Sequence, residues 1–135
     1  MLVLKILAKQ VINRYKPVVI GITGSVGKTF AKEAIFHVSS RKFWVHKNEE
    51  NFNNEFGVPE TVLRINPEMS TANIKPANWP RLFKFLVHLI GAFWLAYWPI
   101  KRKYPDVLIL ELAARKPGDI NYLIDIVRPK IGVVT

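Results

Sequence analysis

Thr23-Gly24-Ser25-Val26-Gly27-Lys28-Thr29 is the stretch of the chain best equipped to hold phosphate. Glycines at 24 and 27 let successive backbone N–H groups turn inward around phosphate oxygens with no Cβ in the way. Lys28 can reach the terminal phosphates as a point charge, and the Thr29 hydroxyl can ligate Mg²⁺. The general phosphate-loop pattern, G-x-x-x-x-G-K-[ST], asks for glycine at position 22, where this chain has Ile22 with Gly21 one place early. Gly27-Lys28-Thr29 nevertheless keeps its expected surroundings of strand, loop and helix.

Two further groups of residues bear on chemistry. Asn51, Asn53 and Asn54 lie in a polar run from Lys47 to Pro59. Asparagine offers both donor and acceptor, which suits a polar substrate, but it also favours turns because it tolerates left-handed backbone angles. Glu111 ends the apolar run Val107-Leu108-Ile109-Leu110. In open α/β sheets ligands gather at the carboxyl ends of strands, so Glu111 sits where a Mg²⁺ ligand or water-orienting carboxylate belongs; the other reading is a strand-end side chain facing solvent.

These residues need a scaffold, and the sequence predicts one. Val18 to Ile22 is a β-branched strand leading into the glycine loop, and Lys28 to Ser39 is the helix that follows. That helix directs its positive end at the phosphate position. Phe43-Trp44-Val45 reads as a second short strand, Glu60 to Ile65 as a short helix, and Asn66 to Asn78 as a surface connection. Asp106 to Leu112 reads as a buried parallel strand, Gly118 to Val127 as a helix, and Ile131 to Val134 as another buried strand. Strands and helices alternating with short links predict an α/β fold, a parallel sheet flanked by helices.

Two apolar segments stand apart. Residues 2–15 form an amphipathic helix with Leu4, Leu7, Ala8, Val11, Ile12 and Tyr15 on one face, ended by Lys16-Pro17. It either packs on the sheet or a neighbouring domain, or lies on a membrane surface; its lysines and lack of a small-residue cleavage site exclude a secretory signal. Residues 82–100 have about the length of a membrane span but carry Lys84, His88, Gly91 and Pro99. Core or subunit packing, an interfacial helix with Trp94, Tyr97 and Trp98 at one end, and a true span all remain open for this segment.

The chain has 135 residues, half of them hydrophobic, enough for one domain or part of one. Without cysteine there are no disulfides, thiolate metal sites or cysteine nucleophiles. Its formal net charge of +10 favours nucleotide phosphates or an anionic membrane surface. Nucleic acid is disfavoured as a partner, because the basic residues are scattered, apart from Lys101-Arg102-Lys103, and no basic–aromatic signature is present.

Taken together, the motifs resemble the Mur ligase family, in particular its ATP-binding middle domain. Thr23 to Thr29 matches that family's T-G-[ST]-x-G-K-[ST], which lacks the first phosphate-loop glycine. Asn51-Phe52-Asn53-Asn54-Glu55-Phe56-Gly57-Val58-Pro59 resembles the N-x-N-N-x-x-G-x-P loop of the branch that adds D-alanyl-D-alanine. Leu110-Glu111-Leu112-Ala113-Ala114, followed by Pro117-Gly118-Asp119-Ile120, is similar to that branch's E-x-G-A-x-x-P-G-D/E-I, with Ala113 in place of glycine and Arg115 in place of a small polar residue or an acid. Arg128 to Thr135 resembles the next strand. The resemblance runs from about Lys16 to the end, except near Pro67 to Lys103.

The resemblance implies an ATP-dependent amide ligase of bacterial peptidoglycan precursor synthesis, acting in the cytoplasm. Peripheral contact with the inner membrane face through residues 2–15 and 82–103 is expected from the apolar and basic character of those segments. A substrate carboxylate is phosphorylated, and an amine displaces phosphate from the acyl phosphate. It assigns ATP to Thr23, Gly24, Ser25, Val26, Gly27, Lys28 and Thr29, Mg²⁺ to Thr29 and Glu111, and catalysis to Lys28 and Glu111. Asn51, Asn53 and Asn54 are placed beside the nucleotide-sugar peptide, with an amino acid or dipeptide as the amine. The expected organisation is an amphipathic helix over 1–16 and a partial ATP-binding domain over 17–135 with a hydrophobic helical insertion near 80–103. The family's N-terminal uridine-holding domain, the Asn and His after the last strand, a later lysine and the C-terminal domain have no counterpart here, so a fragment or a divergent short protein is expected. The rival readings are another ligase of the superfamily, such as a folylpolyglutamate synthase, and a non-catalytic membrane-associated nucleotide-binding module.

Overall fold

The computed structural model describes residues 2–65, 79–98, 103–114 and 116–135. A four-stranded parallel sheet carries the fold, in the order β2-β3-β1-β4. Its strands are β1 (Val18–Thr23), β2 (Val45–Lys47), β3 (Val107–Glu111) and β4 (Ile131–Val134). The helices are α1 (Leu2–Tyr15), α2 (Lys28–Ser39), α3 (Gly57–Val62), α4 (Trp79–Tyr97) and α5 (Asp119–Val127). The predicted α/β class with a parallel sheet flanked by helices is the one observed.

Alternation along the central strands builds two cores. Val19, Leu108 and Leu110 join α1, α3 and α5 on one face through Leu7, Val11, Val62 and Leu123. Ile20, Ile22, Val107 and Ile109 face the other way, onto Ala31, Ile35 and Phe36 of α2. β3 is buried along its whole length, as its unbroken apolar run requires. β1 and β3 pair from Val18↔Val107 to Ile22↔Glu111, so the glycine loop and Glu111 leave the sheet side by side.

The apolar face of α1 is used for packing. Leu4, Leu7, Ala8, Val11 and Ile12 are buried, Tyr15 stacks on Tyr104 with ring centroids 4.7 Å apart, and Lys5 and Lys9 bind Asp125 of α5. Tyr104 donates to the Val62 carbonyl at 2.6 Å, and burial pushes its phenol up. α4 lies against α1 with Ala92 and Ala96 inward, and Arg14 of α1 donates to the carbonyls of Ala96 and Trp98 at its C-terminal end. Phe83, Leu86, Val87, Ile90, Phe93 and Tyr97 form an exposed apolar stripe along α4. Among the described residues no helix is long and apolar enough to cross a membrane.

Three element expectations are corrected. The second strand begins at Val45, not Phe43; the Trp44 carbonyl accepts from Asp106 and Val107 as the chain reaches the sheet edge, and the Phe43 and Trp44 side chains are exposed. The short helix spans Gly57–Val62 rather than Glu60 to Ile65, because the Asn54 side chain accepts from the N–H groups of Phe56 and Gly57 and starts the helix early. Pro59 fits there, since first-turn N–H groups have no intrahelical partner. β4, expected to be buried, is mostly exposed, with Ile131 and Val134 at 48% and 82%. It pairs in this sheet with β1 alone. The expected connection at 66–78, and Pro99, Lys101, Arg102 and Arg115, lie outside the described residues.

Candidate functional site

The glycine loop closes β1 and opens α2. Gly24 has φ +139°, and a Cβ there would come within 2.0 Å of the Thr135 carbonyl oxygen. Both the backbone angle and the space therefore demand glycine. Gly27, left-handed with φ 82°, precedes α2, and no side chain caps the helix. The first N–H groups of α2 thus lack a side-chain partner at the end where the helix dipole favours an anion. Ser25, Val26 and Gly27 are exposed, and Thr23 and Gly24 partly so. The Lys28 ammonium folds back over the loop and donates to the Gly24 carbonyl at 2.7 Å.

Glu111 is the meeting point of three elements. It is only 6% exposed, which rules out a solvent-facing side chain. Its Oε2 accepts from the Thr29 hydroxyl of α2 at 3.1 Å, and its Oε1 accepts from Asn53 Nδ2 of the asparagine loop at 3.0 Å. The Lys32 ammonium lies 3.8 Å from Oε2 and donates to the Asn48 carbonyl at 3.0 Å. Asn48 ties the loop to the strand end: its Nδ2 donates to the carbonyls of Phe52 and Glu111 at 2.8 and 3.0 Å, and its Oδ1 accepts from the Glu111 N–H at 2.9 Å.

Thr29, Glu111 and Asn53 are thus brought together, with Lys28 on the loop beside them. The other two asparagines are engaged differently. Asn54 holds the start of α3, and Asn51 is an exposed turn residue with φ 67°. Gly57 is needed where the loop folds back, because a Cβ would meet the Phe52 Cα at 2.4 Å. Lys32 and Asn48 were missed as site residues. Lys32 had a signal, lying one helical turn beyond Lys28 on the same face. Asn48 was indistinguishable from its polar neighbours.

The donor set suits a nucleotide with a hard cation. Among the described residues there is no cluster of three His, Cys, Asp or Glu. Mg²⁺ does not need one: it takes one or two protein oxygens and completes its shell with phosphates and water. The Thr29 hydroxyl and Glu111 carboxylate provide such oxygens, held against each other at 3.1 Å.

No family model matches the chain. Among curated proteins it is 34% identical to the UDP-N-acetylmuramoyl-tripeptide–D-alanyl-D-alanine ligase of Synechocystis over 123 residues, 91% of this chain and 19% of that protein. The Mycobacterium leprae protein of the same name is 35% identical over 86% of this chain and 16% of its own length. Among solved structures, the MurF ligase of Thermotoga maritima in complex with ADP superposes with a TM-score of 0.62 at 28% identity, over 97% of this chain and 22% of that one. The chain therefore spans about a fifth of the length of the relatives it matches. In sequence and in fold, it is a relative of the UDP-N-acetylmuramoyl-tripeptide–D-alanyl-D-alanine ligases of the Mur ligase family.

Proposed function

We propose that this chain carries the ATP- and Mg²⁺-binding half of a ligase that joins an amino acid or dipeptide to a nucleotide-sugar peptide in peptidoglycan precursor synthesis. The observation that carries the reading is the convergence of Lys28, Thr29 and Glu111 at the strand ends. The similarity to ligases of that activity, one of them solved with ADP, supports it.

On this reading the N–H groups of Gly24 to Lys28 receive the phosphates. Lys28 exchanges its Gly24 carbonyl for a phosphate oxygen and neutralises the charge on the transferring group. Thr29 and Glu111 would hold Mg²⁺, which contributes charge neutralisation at the phosphates. Asn53, anchored on Glu111, links the nucleotide site to the loop that faces the acceptor carboxylate, with Asn51 and Asn54 shaping that loop. On this reading these groups would bring a carboxylate and a phosphoryl group close together, which is what forming an acyl phosphate requires.

The same reading places the protein in the cytoplasm, in peripheral contact with the membrane through α4, since the apolar face of residues 2–15 is buried in the core. The exposed stripe on α4 supports that contact, and sedimentation with anionic vesicles tests it. ATP calorimetry with and without Mg²⁺ tests the site. Mg²⁺-dependent binding is the expected result; binding of equal strength without the metal would remove Thr29 and Glu111 from the assignment.

A further inference from the structure

Lys32 is almost wholly buried, although it is a charged residue on a helix that flanks the sheet. It is 1% exposed, on the inner face of α2, between Asn48 and Glu111. A lysine in such a place is costly, since an apolar residue of similar size would fill the space without desolvating an ammonium. The geometry instead suits a task. On α2, Lys28, Thr29 and Lys32 are spaced so that one helix face presents all three to the strand ends. Lys28 turns to the loop, Thr29 touches Glu111, and Lys32 reaches past both to the point where the asparagine loop meets β3.

We infer that Lys32 is a positioning residue for the metal half-site: its ammonium, held by the Asn48 carbonyl, fixes the Glu111 carboxylate beside Thr29 and fastens the asparagine loop to the nucleotide site. Four contacts carry this. The Lys32 Nζ hydrogen bond to Asn48 at 3.0 Å fixes where the charge sits. Its 3.8 Å separation from Glu111 Oε2 attracts the carboxylate without occupying it by a hydrogen bond, leaving that oxygen able to take a cation. Asn53 and Thr29 each hold one of the two carboxylate oxygens. Neighbours that orient a metal ligand in this way govern metal affinity without touching the metal. The inference rests on Thr29 and Glu111 being the Mg²⁺ ligands.

The test titrates Mg²⁺ into the full chain with a non-hydrolysable ATP analogue, following nucleotide binding by calorimetry. In the Lys32→Met variant the Mg²⁺ concentration for half-maximal effect should rise by about 10-fold or more, with nucleotide affinity in the absence of metal unchanged. Lys32→Arg should restore most of the metal response, because it keeps a charged donor in place. A purely structural role would weaken binding with and without metal alike. Lys32→Gln serves if Lys32→Met does not give a cooperative thermal melt: it retains a donor for the Asn48 carbonyl but no charge for Glu111, and the same metal shift is expected. A midpoint within about twofold of the parent in a folded variant overturns the inference. A parent chain whose nucleotide binding ignores Mg²⁺ overturns instead the assignment of Thr29 and Glu111, and the inference falls with it.

Discussion

At the scale of single residues, chemistry here depends on which partner each polar group holds before ligand arrives. Lys28 rests on the Gly24 carbonyl, a neutral acceptor that on the proposed reading a phosphate oxygen would replace with advantage. Lys28→Ala should weaken ATP binding about 10- to 100-fold, the worth of one hydrogen bond to a charged group, while leaving the thermal melt nearly unchanged. Unaltered affinity by calorimetry would discard the loop as the phosphate site. Glu111→Gln should raise the Mg²⁺ requirement by at least about tenfold and change metal-free nucleotide affinity far less. An equal metal response in variant and parent would take Glu111 out of the site. Lys28, Thr29 and Glu111 were legible beforehand because a glycine loop and a strand end each specify a position. The three asparagines were not separable: Asn53 reaches Glu111, Asn54 starts α3 and Asn51 makes a turn, from side chains of one type in one short run.

At the scale of elements, α1 shows how a short helix is tied down. Its apolar face is buried in the same core as α3, α4 and α5, and Lys5 and Lys9 converge on Asp125. Hydrogen bonds from Lys9 and then Lys5 pull the Asp125 carboxyl down to about 2. The folded protein thus binds this proton less readily than the unfolded chain, where the value is about 3.9. The contribution is complete at neutral pH, declines as the pH falls below about 4 and has gone below the folded value. Asp125→Asn should lower the melting temperature more at pH 7 than at pH 2; a difference of equal size at both pH values would contradict the pairing. The amphipathic pattern of residues 2–15 identified the helix and its apolar face, since a 3.6-residue period is a property of adjacent residues, but not whether protein or membrane covers that face. Element boundaries were less legible. α3 begins at Gly57 because a side chain upstream accepts its first N–H groups, and β2 begins where Trp44 meets Asp106, a residue far along the chain.

At the scale of the molecule, a net charge of +10 would favour approach of an anion to the proposed phosphate site. The rate of association with ATP should therefore fall several-fold as salt rises from about 0.01 to 0.15 M and the Debye length shrinks from about 30 to 8 Å. Stopped-flow measurement with a fluorescent ATP analogue checks this, and a salt-independent rate would show that the charge does not steer the nucleotide. The sequence by itself determined the glycine loop, the helix that follows it, the strand ending in Glu111 and the α/β class. Each of these depends on neighbours in the chain, on backbone angles that glycine and proline control and on apolar periodicity. Only the tertiary structure decided that Glu111 is buried rather than solvent-facing, that Lys32 and Asn48 belong to its surroundings, and that β4 is mostly exposed. Thr29 and Glu111 are 82 positions apart, and they meet because β1 and β3 are neighbours in the order β2-β3-β1-β4. Strand order follows from how whole faces are buried against one another, and no local pattern of residues records it.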